Sequence, residues 1–370
     1  MLEMVLIGVV VGAAIALAFA NGANDNAKGV ATLIGSGLVK IKPAVVYAAV
    51  TTAMGSVAAI WIGAELASKF KGKGIVADAI WQSGSFAACV GLAAGGTVLL
   101  ATRLALPIST THAMVGSIIG IGAAGGGLEW AAVWKKFFYP LMASPFIALA
   151  LAALLYLLFT GIRRLARINR ETCLCVGQEV VPLSIGGDGT LAMASTGVTL
   201  TADQAEQCEQ RYTGRFLGIS AQTVLDRCHF LTAGAVSFAR GLNDTPKVAA
   251  LMIGLSFMTD WQAVVVVGIG IAAGGLLAVR RVAQTMSHRI TGMNDGQAFT
   301  ANLNTAFLVI VASKWGVPVS TTHVSCGSLI GIGAVSGQGR WKMIVTIVLA
   351  WVATLPVAAV LGALCWTLLG

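Results

Sequence analysis

Charge is what this sequence has least of. Acidic and basic residues together make up 11% of its 370 residues, against 57% hydrophobic, and only four residues are histidine. A soluble domain carries about a quarter charged residues, so the deficit excludes an ordinary water-soluble fold and leaves an integral membrane protein. Catalytic signatures are missing as well. The chain has no H-E-x-x-H, no P-loop and no nucleophile elbow, which removes the commonest sequence marks of an enzyme. Nor does any segment read as a cleavable signal peptide, since residues 1–22 lack a basic start. Seven cysteines say little. Cys89, Cys326 and Cys365 lie in apolar runs as small core residues, while Cys173, Cys175, Cys208 and Cys228 sit in or beside a polar middle. Those four are either free cytoplasmic thiols or, in a less favoured reading, an irregular zinc site.

Long apolar runs are abundant. Spanning a bilayer takes roughly 20 such residues, and runs of that kind fall near 2–22, 43–68, 76–102, 108–128, 136–162, 220–239, 248–279, 297–313, 318–337 and 342–369. The spacing predicts an all-α polytopic membrane protein of about ten to twelve membrane segments. The net charge of +9 does not point to nucleic acid, because the basic residues sit in short loops, where they set topology. With residue 1 outside, fifteen basic residues fall on the cytoplasmic side, Arg215 and Arg289 among them, and six on the other. Both termini are therefore expected outside, with the polar stretch 163–218 as a cytoplasmic linker. That linker divides the chain into membrane repeats at 1–162 and 219–370. An odd number of crossings before it makes the second repeat inverted relative to the first. Trp61, Trp81, Trp130, Trp134, Tyr139, Trp315, Trp341 and Trp366 read as an interfacial belt.

The repeat is visible in two polar signatures that occur once in each half. GANDNAKGVATLIG at 22–35 is answered by GLNDTPKVAALMIG at 241–254, and PISTTHAMVGSIIGIG at 107–122 by PVSTTHVSCGSLIGIG at 318–333. Residues 107–126 and 318–337 agree at thirteen of twenty positions without a gap. Asp25 and Asp244 follow long apolar runs, and a carboxylate inside a membrane is costly unless it is paired, protonated or bound to a cation. Lys28 and Lys247, three residues on, are the obvious salt-bridge partners. Gly-x-Asn-Asp is also expected to break a helix and bare its carbonyls, so that Asn24, Asp25, Asn243 and Asp244 offer the oxygen ligands Na⁺ takes.

Each Pro-x-Ser-Thr-Thr-His motif reads as a helix start. Its free N–H groups and the hydroxyls of Ser109, Thr110 and Thr111, or of Ser320, Thr321 and Thr322, suit a tetrahedral oxyanion. Taken singly, such a motif is more readily a plain helix cap, and its duplication turns the balance toward a site. His112 and His323 are expected in a supporting role. Gln82, Gln297, Asn302 and Asn304 are weaker polar candidates. Two aspartates would repel a phosphate-like anion unless cations shield them, which makes binding of anion and cation mutually dependent.

At GANDNAKG, GLNDTPK, PISTTH and PVSTTH the chain resembles the inorganic phosphate transporter family, which includes sodium–phosphate symporters of eukaryotes and bacterial phosphate permeases. The resemblance covers both hydrophobic halves and leaves out the linker. It implies a homodimer in the plasma (inner) membrane that takes up inorganic phosphate by symport with Na⁺ or H⁺. Broken helices or re-entrant hairpins would surround one site. On matching positions it makes Asp25 and Asp244 the essential carboxylates and Ser109, Thr110, Thr111, Ser320, Thr321 and Thr322 the substrate residues. From the residues themselves, Na⁺ is expected at Asn24, Asp25, Asn243, Asp244, Ser109 and Ser320. Some members carry small apolar residues where Lys28 and Lys247 stand. The Asn-Asp pairs favour sodium over protons as the coupling ion. The rival readings are sulfate as substrate, a passive anion channel, and an intramembrane hydrolase built on Ser109, His112 and Asp25.

Overall fold

A computed structural model of the chain describes residues 2–185, 191–211, 217–288, 290 and 293–370. Arg215 and Arg289, counted above to the cytoplasmic side, lie outside these residues. The chain divides into a large unit, residues 1–156 and 229–370, and a small one, Leu157–Cys228.

The first half runs α1 (Leu2–Asp25), α2 (Ala31–Gly35), α3 (Ile41–Ile62), α4 (Ala64–Phe70), α5 (Asp78–Trp81), α6 (Gly84–Arg103), α7 (Thr110–Ala124) and α8 (Trp130–Val133). A π-helical turn, Trp134–Phe138, leads on into α9 (Tyr139–Leu165). After the small unit come α11 (Ala221–Ala249), α12 (Asp260–Ala278), α13 (Arg280–His288), α14 (Asp295–Lys314), α15 (Thr321–Ser336) and α16 (Trp341–Leu369). Among the described residues, six stretches are long and apolar enough to cross a membrane: 4–25, 41–62, 84–103, 130–165, 260–278 and 341–369. Large apolar side chains such as Val50, Met54 and Val57 on α3, and Val345, Leu349 and Val352 on α16, face outward. In water that would be a liability; in lipid it is the stable arrangement.

Three runs expected as single segments are divided, because apolarity alone does not reveal a turn. The run 43–68 is interrupted at Gly63, between α3 and α4. Within 76–102, Ser83 caps α6 by accepting the Phe86 N–H at 3.2 Å. The run 248–279 contains the turns between α11 and α12, with Gly254 at φ +101°. Gly-x-Asn-Asp does not break its helix either. Gly22 lies inside α1, and a Cβ there would sit 1.9 Å from the Ile271 carbonyl oxygen, so the glycine serves close packing on α12. The interruption comes later, in the turns at 26–30 of the first motif and at 250–254 of the second.

Two helical hairpins carry the repeat. In the first, α6 and α7 are joined by residues 104–109, and its base is tied by Glu129 N–H to the Ile75 carbonyl at 2.8 Å. In the second, α14 and α15 are joined by 315–320, with Arg340 N–H on the Ile290 carbonyl at 3.1 Å. Each second hairpin helix packs on a helix of the opposite half. A Cβ at Gly120 of α7 would lie 1.9 Å from the Ala359 carbonyl oxygen of α16, and one at Gly331 of α15 would lie 2.2 Å from that of Leu149 in α9. Small residues four apart on α7 and α15 thus let backbones approach in lipid and tie the halves together.

The small unit departs from the all-α expectation. Strands β1 (Thr172–Ile185), β2 (Leu191–Gln204) and β3 (Leu217–Ser220) form an antiparallel sheet in the order β2-β1-β3, with α10 (Ala205–Arg211) between β2 and β3 in sequence. Cys175 and Cys208 form a disulfide, while Cys173 and Cys228 are free. Cys175 and Cys208 are therefore not the free thiols expected, and Cys173 lies beside them, the three sulfur atoms within 4.8 Å of one another.

Candidate functional site

Asp25 is the last residue of α1, where the helix dipole repels a carboxylate. It is 1% exposed, and Asp244 on α11 is 3% exposed, so both need partners. One amide joins them. Asn21, one turn before Asp25, donates from Nδ2 to Asp25 Oδ2 and to Asp244 Oδ2, each at 3.2 Å, and to Thr110 Oγ1 at 3.0 Å. The two carboxylates, distant in sequence, therefore share a single donor.

The hairpin tips close on this pair from both halves. Thr110, first residue of α7, donates from Oγ1 to Asp25 Oδ2 at 3.3 Å, and Thr321, first residue of α15, to Asp244 Oδ2 at 3.5 Å. The tips also touch each other. Thr322 Oγ1 donates to the Ile108 carbonyl at 2.7 Å and Thr111 Oγ1 to the Val319 carbonyl at 3.5 Å. The rings of His112 and His323 meet edge to face, 4.2 Å between centroids. Two helix N-termini, with N–H groups that lack intrahelical partners, thus converge beside two carboxylates.

Three buried cations complete the cluster. Lys28 Nζ pairs with Asp25 Oδ1 and donates to Thr322 Oγ1 and, at 3.3 Å, to the Ile108 carbonyl. Lys247 Nζ lies 3.6 Å from Asp244 Oδ1 and donates to Thr111 Oγ1 at 2.9 Å and to the Val319 carbonyl at 2.7 Å. Each lysine therefore holds its own aspartate, the tip carbonyl of its own hairpin and a threonine of the other half. The third is Arg240, 1% exposed, one turn before Asp244. Its Nη1 donates to Asn26 Oδ1 at 3.0 Å and Thr52 Oγ1 at 3.2 Å, its Nη2 to Asn21 Oδ1 at 3.0 Å, and its Nε lies 3.8 Å from Asp244 Oδ2. The sequence reading passed over Asn21 and gave Arg240, beside the second Asn-Asp motif, no role. Both stand four residues before an aspartate, a helical spacing that would have flagged them.

Other candidates sit nearby in different employment. Ser109 and Ser320 are N-caps: their Oγ atoms accept the backbone N–H of His112 at 3.1 Å and of His323 at 3.2 Å. Asn24 pins the first tip, donating to Thr102 Oγ1 and the Leu106 carbonyl, both at 3.0 Å, and accepting Ile108 N–H at 3.1 Å. Asn243 does the same in the second half through the Val319 carbonyl at 3.3 Å and Ser313 Oγ at 3.2 Å. Two of the weaker candidates lie elsewhere. Gln297 forms a capping box with Asn294 at the start of α14. Gln82 is exposed on the rim of a cavity of about 550 Å³ lined also by Leu6, Phe70 and Ala250. Phe70 lines that cavity and also lies over Lys247, whose Nζ is 5.8 Å from the ring centroid. Cavity and charged cluster thus share one aromatic wall. Asn304 binds Ser328 Oγ at 2.8 Å and the Ala148 carbonyl at 2.9 Å, and Asn302 binds Thr32 Oγ1 at 2.8 Å. Both fasten helices together.

A model of the phosphate transporter family matches residues 21–362, which takes in both Asn-Asp motifs and both hairpins. The chain belongs to that family. It is therefore a phosphate transporter and not an enzyme, and the hydrolase reading falls. Although Ser109 Oγ lies 3.1 Å from His112 Nδ1, Asp25 is occupied by Asn21, Thr110 and Lys28. The chain is similar to a Pyrococcus abyssi protein described as a phosphate permease, 28% identical over 96% of each chain. It also resembles inorganic phosphate transporter 2-1 of the Arabidopsis thaliana chloroplast, 29% identical over 92% of this chain and 68% of that one. Among solved structures it superposes on one described as the sodium-dependent phosphate transporter. The TM-score is 0.74 at 21% identity over 99% of both chains, a likeness of fold.

Proposed function

We propose that this transporter imports inorganic phosphate by symport with a cation, alternating access around a single site shared by two inverted repeats. One observation carries the reading: carboxylates from opposite halves bind the same Asn21 amide where the N-termini of α7 and α15 meet. Phosphate would be held by the threonine hydroxyls and the free N–H groups of those two helices, as oxyanions are at helix starts. Its charge requires positive partners beside Asp25 and Asp244, and each aspartate has such a seat. A carboxylate oxygen, a tip carbonyl and a threonine hydroxyl of the other half bound it.

Because each tip is hydrogen-bonded to the other half, a rocking of one set of helices against the other would open the site to one face at a time. The basic residues of the short loops favour a plasma-membrane orientation with both termini outside and the linker cytoplasmic. The family resemblance favours a homodimer. The test is labelled-phosphate uptake in proteoliposomes: Asp25→Asn and Asp244→Asn should each lower it by about a hundredfold, as loss of a buried charge partner does. Uptake that survives both changes would end the reading.

A further inference from the structure

We infer that Lys28 and Lys247 are tethered cations that occupy the two seats beside the aspartates, so that the cation moved with phosphate is a proton and not sodium. The inference rests on the site proposed above. Its basis is the atoms each ammonium touches. Lys28 Nζ is held by a carboxylate oxygen of Asp25, the Ile108 carbonyl and the Thr322 hydroxyl. Lys247 Nζ is held by the corresponding set: Asp244, the Val319 carbonyl and the Thr111 hydroxyl. Carboxylate, carbonyl and hydroxyl oxygens gathered around one point are what a hard monovalent cation takes. Here both gatherings are filled by nitrogen from the chain itself. The two lysines are 1% exposed, and each side chain bridges from its own helix to the opposite hairpin tip.

Charge balance points the same way. Asp25 and Asp244 face Lys28, Lys247 and Arg240, so these five groups, carrying their usual charges, leave one positive charge. A singly charged phosphate brings the cluster to neutrality with no metal ion. Two added sodium ions would leave it with two positive charges in surroundings that tolerate excess charge poorly. The shielding that mobile cations would otherwise give is built into the chain at the third residue after each aspartate. The threonines proposed to hold phosphate also hold the lysines, so the ammonium groups sit where a bridging cation would have to sit.

The experiment measures labelled-phosphate uptake into proteoliposomes under an imposed inside-alkaline pH gradient, in choline medium with and without added NaCl. The wild-type protein is expected to take up phosphate at the same rate in both media. Lys28→Ser and Lys247→Ser clear a seat while keeping its oxygens. In these variants sodium should restore phosphate binding, raising affinity about tenfold, within the usual range for linked ligands. Equilibrium binding of labelled phosphate to the variants in detergent, with and without NaCl, gives the same readout without a folded-vesicle requirement. Wild-type uptake that demands sodium overturns the inference while leaving the phosphate site standing. Variants that bind phosphate no better with sodium than without also overturn it. Absence of phosphate uptake by the wild type under every condition would overturn the proposed function and this inference together.

Discussion

The two halves of the site are built to one plan and differ at one position that matters. Each supplies an Asn-Asp pair, a lysine three residues on, a hairpin tip pinned by the asparagine and a serine-capped helix start. Four residues before the aspartate, however, the first half has Asn21 and the second has Arg240. The asparagine is the shared donor between the carboxylates, and the arginine grips that asparagine from the other half. The halves also end their motif helices differently: α1 stops at Asp25, while α11 runs on through Pro246 to Ala249. Repetition thus supplies the paired charges, and the departure from repetition supplies the odd positive charge that leaves room for an anion. A perfectly symmetric pair would have either no spare cation or two guanidinium groups crowded on one amide's place.

That comparison can be broken experimentally. The largest effect is expected at the unlike position. Arg240→Asn removes the spare charge and strands Asn21 and Asn26, at a cost of about 3–5 kcal/mol in stability and loss of phosphate binding. Asn21→Arg should be equally harmful by adding a like charge. The swap carrying both changes restores the charge count and should recover part of the binding that either single variant loses, read by thermal unfolding and labelled-phosphate binding. No recovery would mean that the two positions are not interchangeable.

Next in size are the helix crossings. Gly120→Ala and Gly331→Ala force a methyl against a carbonyl in equivalent places. Each should cost about 1–3 kcal/mol and slow uptake, because both crossings join opposite halves. A Gly120 effect without a Gly331 effect would show that the halves are not tied in the same way.

Smallest are the caps. Ser109→Ala and Ser320→Ala should each cost about 1 kcal/mol, the usual loss of an N-cap, with phosphate uptake still independent of sodium. A changed sodium response would return those serines to the role of cation ligands that the sequence suggested.

Much of the site was legible because duplication singles out polar residues in apolar surroundings. Asp25, Asp244, Lys28, Lys247, Thr110, Thr111, Thr321 and Thr322 all converge. What the sequence hid was exchange between halves. That Lys28 reaches Thr322, or that α7 packs on α16, depends on tertiary contacts that leave no local pattern. Asn24, Asn243, Ser109 and Ser320 were found for their chemistry, yet the oxygens of Asn24, Ser109 and Ser320 accept hairpin backbone N–H groups and that of Asn243 accepts the Ser313 hydroxyl, a use that composition cannot distinguish from ligation. Gln297 drew notice as a polar residue in an apolar run when its place is a capping box. The strands of the small unit were overlooked because a Gly/Ser/Thr-rich stretch reads as loop, although Cys173 and Cys175 alternate with Leu174 as a strand requires.

The account turns on one anion bound jointly by both halves. Equilibrium binding of labelled phosphate to the detergent-solubilised wild type, Asp25→Asn and Asp244→Asn proteins counts sites directly. A shared site gives one phosphate per chain in the wild type and a common loss in either variant. Two phosphates per chain, with one retained in each variant, would mean that each half binds alone.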